Sequence, residues 1–200
     1  MKKFELTAEY VTNIFGKKLF RIKALVEFGN VKEGDLGGFV EKESNIDDDG
    51  NAWVSGNAQV FGNAKISGNA QVFGNAQVFE NAWVYGNAWI SGNAQVYGNA
   101  WISGNAQVYG NACVAENLDY AIVGGFGREQ QTITFFRQKD GSVGAKCGFF
   151  CRTLEEFREK VLETHGESKY AQEYLMIADL MELHFAGGCD GNDKDNHSCL

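Results

Sequence analysis

A six-residue repeat, N-A-x-[VI]-x-G, is the feature that most constrains how this chain can fold. It occurs eleven times in succession between Asn51 and Glu116. Six residues make about 1.7 turns of an α-helix, so successive repeats would face different directions on a helix, and Gly and Asn oppose helix formation. In an extended chain, Ala and Val or Ile point to one side and both variable residues to the other. The repeat therefore predicts short strands that wind into a β-solenoid.

Each repeat also predicts its own corner. Gly and Asn both tolerate left-handed backbone conformations, so the Gly-Asn pair suits a sharp turn between strands. Residues 30–50 are irregular and glycine-rich, and we interpret them as an imperfect first coil. A core of Val, Ile and Ala is thin, so its stability must come from stacking between neighbouring coils and from caps at both ends.

The repeat resembles that of the left-handed parallel β-helix, in which an aliphatic core residue follows a small residue by two positions. Val54 with Ala52 and Val60 with Ala58 fit this pattern. The resemblance implies a left-handed coil with three hexapeptides in each triangular turn, and strands stack about 4.8 Å apart. It also implies a homo-oligomer, with a trimer favoured, because proteins of this fold commonly form trimers.

The complete fold expected is mainly β, with a small α+β domain after the solenoid. A β-hairpin forms an N-terminal cap over residues 1–29, the hexapeptide β-helix covers 30–116, a C-terminal ββαα domain covers 117–185, and 186–200 is a disordered tail. Thr153 and Glu156 form a capping box that begins a helix, Gly166 ends it, and Ser168 caps a second helix.

The variable positions are aromatic or amide side chains with almost no charge. Folding the repeat in threes places Gln59, Gln77 and Gln95 in one column, and sets Trp89 and the pair Trp83 and Trp101 on two other faces. Such columns stabilise stacked strands by themselves, yet contiguous exposed aromatic columns also mark an interaction surface. Trp and Tyr can hold a flat base or a sugar ring. The candidate ligand-binding residues are Trp53, Trp83, Tyr85, Trp89 and Trp101, with Arg128 or Arg137 as an anion partner.

Charge and composition exclude several classes of partner. The net charge of −8 argues against long nucleic acid, whose backbone needs Lys and Arg, although residues 117–152 are locally basic. The chain has no apolar run of about 18 residues or more, so we expect no membrane span, and we expect a cytoplasmic location. Five scattered cysteines predict reduced thiols, and the pair Cys147 and Cys151 lacks a second pair for zinc. We expect no metal and no cofactor.

An enzyme is the alternative that the repeat itself raises. Enzymes of the hexapeptide-repeat acyltransferase superfamily usually place a catalytic His on a coil or on a loop leaving it, as a general base. Here the repeat contains neither a His nor a loop, and His165, His184 and His197 all lie outside it. A purely structural oligomerisation scaffold is the other alternative.

The whole layout resembles a family of small phage and prophage proteins of Gram-positive bacteria. The shared segments are the lead-in LGGFVEKESN (36–45), the GNAxV repeats, TFFRQKDG (134–141), LEEF (154–157) and THG (164–166). The resemblance implies a phage-encoded protein acting in the bacterial host cytoplasm, in an anti-defence or other host-interaction role. We therefore expect a non-enzymatic binding protein that captures a small nucleotide-like ligand or a host protein.

Overall fold

A computed structural model of the chain describes residues 2–186. The tail predicted to be disordered comprises residues 186–200, and residues 187–200 lie outside the described residues. Before the repeat come three strands: β1 (Phe4–Thr12), β2 (Lys18–Ala24) and β3 (Leu36–Val40). The repeat forms eleven strands of two residues each: β4 (Trp53–Val54), β5 (Gln59–Val60), β6 (Lys65–Ile66), β7 (Gln71–Val72), β8 (Gln77–Val78), β9 (Trp83–Val84), β10 (Trp89–Ile90), β11 (Gln95–Val96), β12 (Trp101–Ile102), β13 (Gln107–Val108) and β14 (Cys113–Val114).

After the repeat, a four-stranded antiparallel sheet precedes two helices. Its strands are β15 (Tyr120–Val123), β16 (Ile133–Arg137), β17 (Val143–Cys147) and β18 (Phe150–Thr153), and the helices are α1 (Leu154–His165) and α2 (Lys169–Phe185). The α+β class of this domain agrees with the prediction, but the sheet has four strands where ββαα counted two. Neither helix in the described residues is long and apolar enough to cross a membrane.

The repeat strands stack in parallel, each on the strand eighteen residues away, as in the pair Trp89 and Gln107. They form the three faces of a β-solenoid, as predicted. The ladder face holds β3, β5, β8, β11 and β14; the Trp83 face holds β6, β9 and β12; the Trp89 face holds β4, β7, β10 and β13. The Ala at the second position and the Val or Ile at the fourth position of every repeat point inward and are fully buried.

The corners use Gly and Asn differently. The corner glycines adopt positive φ, for example 71° at Gly74 and 71° at Gly92. The asparagines do not, which corrects the prediction that both residues would supply left-handed backbone. Their side chains instead form ladders along the corners, as where Asn75 Nδ2 donates to Asn93 Oδ1 at 3.2 Å.

Residues 30–50 form the first coil, as predicted. Phe39 pairs in parallel with Gln59, and Ile46 forms a parallel bridge with Ile66. Both strands of the N-terminal hairpin extend the ladder face, in the order β1-β2-β3-β5. The hairpin is therefore continuous with one solenoid sheet.

Apolar side chains close the solenoid core at both ends. Phe4, Ile22 and Val31 belong to the core cluster at the N-terminal end, and Phe136 of β16 joins the same cluster from the C-terminal domain. On the other side of β16, Ile133 and Phe135 pack in a separate cluster with α1 and α2. Strand β16 thus separates the solenoid core from the core of the C-terminal domain.

The helix boundaries agree with the sequence analysis. The Thr153 hydroxyl accepts from the Glu156 backbone N–H, and the Glu156 carboxylate accepts from the Thr153 backbone N–H. Gly166 ends α1 with a φ of 56°, and the Ser168 hydroxyl accepts from Ala171 at the start of α2.

Candidate functional site

The ladder face is a packed structural surface. Phe61 and Phe79 stack with ring centroids 5.0 Å apart, and Phe79 and Tyr97 stack at 5.1 Å. Phe15, at the tip of the hairpin, lies 6.0 Å from Phe61 and 6.2 Å from Phe79. Because the hairpin covers the N-terminal part of this column, Phe61 is only 4% exposed.

Trp53 is also buried, so it cannot form part of an exposed ligand surface. Its side chain is 5% exposed, and its ring contacts Phe4 and Phe28 edge to face, with centroids 6.4 and 5.4 Å away. The backbone of Gly37 approaches so closely that a Cβ there would lie 2.7 Å from the indole. Trp53 is a core residue of the N-terminal cap, which corrects its prediction as a binding residue.

The Trp83 face brings together three of the predicted residues. The rings of Trp83 and Trp101 meet edge to face at 5.6 Å, and Trp83 and Tyr85 lie 4.9 Å apart. The indole N–H of Trp83 donates to the Ser67 hydroxyl at 2.9 Å. Trp83 remains 36% exposed and Trp101 50% exposed, so this face is an ordered, half-open aromatic surface.

A shallow groove of ≈ 350 Å³ lies where this face meets the C-terminal domain. Tyr120 donates its hydroxyl proton to the Trp101 carbonyl at 2.7 Å, and Asn117 Oδ1 accepts from the Trp101 N–H at 2.8 Å. The side chains that line the groove are all uncharged: Tyr85, Trp101, Ser103, Asn117, Tyr120, Ala121 and Ile122. Asn117 and Tyr120 were not among the predicted residues, because both follow the repeat and reach the groove only through the turn after Glu116.

The Trp89 face has a different character. Trp89 is 52% exposed and Tyr109 is 41% exposed, and Phe73 meets Trp89 edge to face at 6.0 Å. The Lys146 ammonium lies 5.6 Å from the centroid of the Tyr109 ring. At the adjoining corner, Lys139 donates from Nζ to the Asn93 carbonyl at 3.2 Å. This face combines exposed rings with two ammonium groups from the C-terminal domain.

Arg137 is committed to an internal ion pair. Its Nε lies 3.0 Å from Asp119 Oδ1, and both side chains are largely buried. Its guanidinium also donates to the Phe185 carbonyl at 3.3 Å and lies 5.5 Å from the Phe185 ring centroid. The prediction of Arg137 as an anion partner is therefore wrong, because its charge is balanced by Asp119 at the junction of solenoid and C-terminal domain.

The glycine-rich turn before Arg128 does not form a phosphate cradle. The Gly127 N–H donates to Glu173 Oε2 at 3.1 Å, and the Tyr174 hydroxyl donates to the Phe126 carbonyl at 3.3 Å. These contacts hold the turn on α2, and the Glu173 carboxylate would repel an anion at this N–H. Arg128 is exposed, and no contact among the described residues joins it to either aromatic face.

Two cysteines and one histidine of the described residues are partly buried and contact neighbouring side chains. Burial raises the pKa of the Cys147 and Cys151 thiols, and Cys147 Sγ lies 3.2 Å from Gln131 Oε1. The His165 ring contacts Tyr174 at 5.5 Å and Tyr170 at 6.4 Å. Between residues 2 and 186, no three or more His, Cys, Asp or Glu side chains are arranged to hold a metal ion.

A second cavity, of ≈ 280 Å³, lies at the N-terminal end of the solenoid. Lys2 and Glu43, which line it, form an ion pair at 2.6 Å. Beside it, Lys3 is 3% exposed, and its burial lowers the pKa of its ammonium. The cavity contains none of the predicted binding residues.

Comparison with known proteins identifies the repeat region alone. A family model described as the YdcK β-solenoid repeat matches residues 70–86, 88–104 and 94–108. No curated protein matches the chain. The matched segments contain Trp83, Trp89 and Trp101, and they support the conclusion that this is a β-solenoid repeat protein.

Proposed function

We propose that this chain is a non-enzymatic binding protein and that the exposed aromatic faces of its solenoid are its binding surfaces. One observation carries the proposal: Trp83, Trp89 and Trp101 are 36%, 52% and 50% exposed on the paired strands of the solenoid. Trp side chains are enriched where proteins bind partners, and contiguous exposed apolar surface marks an interaction site. On the ladder face the hairpin covers part of the aromatic column, and the strongly exposed aromatic residues of the repeat lie on the other two faces.

The positions of the histidines favour binding over acyl transfer. A general base must reach the proton that it abstracts, directly or through one water. His165 and His184 lie on α1 and α2, and His165 packs between tyrosine rings. The alternative of a hexapeptide-repeat acyltransferase would require a base on or beside a coil.

We propose that the Trp83 face mediates self-association, with a trimer as the assembly. Its groove is lined by uncharged side chains, as is typical of the centre of a protein interface, where charged residues are depleted. The captured molecule is a small nucleotide-like ligand or a host protein, and the resemblance to phage proteins supports an anti-defence role in the host cytoplasm.

Native mass spectrometry of the protein purified from bacteria tests this function. We expect a homotrimer that carries a small mass, and we expect that mass to be lost on denaturation. Trp101→Ala should weaken the assembly, because it removes a half-exposed ring from the proposed interface. Tyr10→Ala is the matched control, since Tyr10 is 48% exposed but lies on the hairpin. A monomer without any bound mass, unchanged by Trp101→Ala, would refute the proposal.

A further inference from the structure

The two exposed aromatic faces differ in charge, and this difference indicates what each can bind. On the Trp83 face, the groove lining contains no charged residue. On the Trp89 face, Lys146 and Lys139 stand beside Tyr109 and the adjoining corner. The outward repeat residues of the Trp89 face include no Asp or Glu. An anion would therefore meet two ammonium groups on the Trp89 face, whereas the Trp83 face offers Lys65 beside Trp83 and no ammonium group in its groove.

The rings on the Trp89 face are available for stacking. Trp89 touches Phe73 through an edge-to-face contact and Tyr109 lies beneath Lys146, while roughly half of each side chain is open to solvent. No ring contact joins Trp89 to Tyr109 among the described residues. Each ring therefore has a surface that a planar group can cover, and stacking on an aromatic side chain accepts any base.

Both lysines retain capacity for an anion. An ammonium has three donors. Lys146 donates to the Gly148 carbonyl and Lys139 to the Asn93 carbonyl, which leaves donors on each. The backbone fixes both side chains near Tyr109: Lys146 lies on β17, and the Lys139 N–H donates to the Asn111 carbonyl at 3.1 Å. Asp140, the neighbouring acid, directs its carboxylate to Ser142.

We infer that the Trp89 face binds a ring-bearing phosphate, a nucleoside phosphate in the simplest case. Trp89 and Tyr109 stack on the base, and Lys146 and Lys139 hold the phosphate. This inference rests on the proposed binding function. In it, Lys146 and Lys139 take the place of Arg128 and Arg137 as the anion partners. It assigns ligand capture to one face and leaves the Trp83 face for self-association.

Calorimetric titration with AMP, GMP, CMP and UMP, and with the matching nucleosides, tests the site. We expect at least one monophosphate to bind, with its nucleoside binding about tenfold more weakly, because hydrogen bonds to charged groups contribute that much affinity. Lys146→Met should weaken the monophosphate about tenfold while leaving the nucleoside unchanged. Trp89→Leu should weaken both ligands.

The N-terminal hairpin supplies matched controls. Lys18 lies over the Tyr10 ring at 4.5 Å, the same pairing as Lys146 with Tyr109 but without a neighbouring tryptophan. Lys18→Met and Tyr10→Leu should leave the affinity unchanged. Binding to the wild type that Lys146→Met and Trp89→Leu do not alter would overturn this site and leave the proposed function standing. No binding of any monophosphate would overturn the site, and a monomer without any bound mass in native mass spectrometry would separately remove the function on which it rests.

Discussion

At the scale of single residues, Glu80 departs from the pattern of the corners. It adopts a φ of 58° at a position where most repeats have Gly. Its Oε2 accepts from the Gly98 N–H of the next coil at 2.9 Å, just as Glu41 accepts from the Gly62 N–H on the same edge. A left-handed conformation costs an L-residue about 1–2 kcal/mol. The corner therefore combines backbone strain with a hydrogen bond between coils.

Replacing Glu80 with Ala and with Gly separates these two effects. Both variants lose the carboxylate, but only Ala keeps the strain. We expect the free energy of unfolding of Glu80→Gly to exceed that of Glu80→Ala by about 1 kcal/mol. Gly removes the backbone strain, but it also makes the unfolded chain more flexible, which offsets part of that gain. Urea denaturation measures the difference. Equal stabilities would show that the corner carries no left-handed strain.

At the scale of the elements, the asparagine ladders join successive corners. Asn75 donates to Asn93 and accepts from Asn57, with distances of 3.2 and 3.3 Å. Asn57 lies at the end of this ladder and makes one such bond. A hydrogen bond contributes about 0.5–1.5 kcal/mol net, so Asn75→Ala should destabilise the protein about twice as much as Asn57→Ala. Thermal and urea unfolding of the two variants measure the difference. An equal loss of stability in both variants would show that the hydrogen bonds of the ladder do not stabilise the protein.

The elements also show how far local sequence determines this fold. The hexapeptide period predicted the buried Ala and Val positions, because successive residues of an extended strand point to opposite sides. The three faces were predicted from the resemblance to the left-handed parallel β-helix. The start and the end of α1 could also be predicted from the sequence, since the Thr153 capping box and Gly166 act within a few residues. The number of strands after Glu116 could not be predicted in this way. Strands β15 and β18 each pair with a different neighbour, β16 and β17, and this pairing depends on contacts across the C-terminal domain.

The candidate site was less predictable for the same reason. Folding the repeat in threes, as the resemblance implies, placed Trp83, Tyr85 and Trp101 on one face, as the structure has them. Trp53 occupies an equivalent outward position, yet Phe4 and Phe28 from distant segments bury it. Hexapeptide spacing carries no information about which outward residues a cap will cover.

At the scale of the whole molecule, strand β16 couples two cores. Phe136 is 1% exposed and closes the solenoid core, while Phe135 is fully buried against α1 and α2. We expect Phe136→Ala to raise amide hydrogen exchange in β11–β14, and Phe135→Ala to raise it in α1 and α2. Each substitution should cost about 3–5 kcal/mol, because it leaves a cavity in a packed core. Uniform loss of protection in both variants would instead indicate a single cooperative unit.

The eighteen-residue stacking period has a consequence for how such a chain can change length. Duplication of three hexapeptides would insert one complete layer and move the two end caps apart by about 4.8 Å, without turning one relative to the other. Duplication of one hexapeptide would turn the C-terminal domain by a third of a revolution around the solenoid axis. Lys139 and Lys146, which that domain contributes, would then stand over a different face. The number of repeats, counted in threes, therefore sets which aromatic column meets the basic side chains.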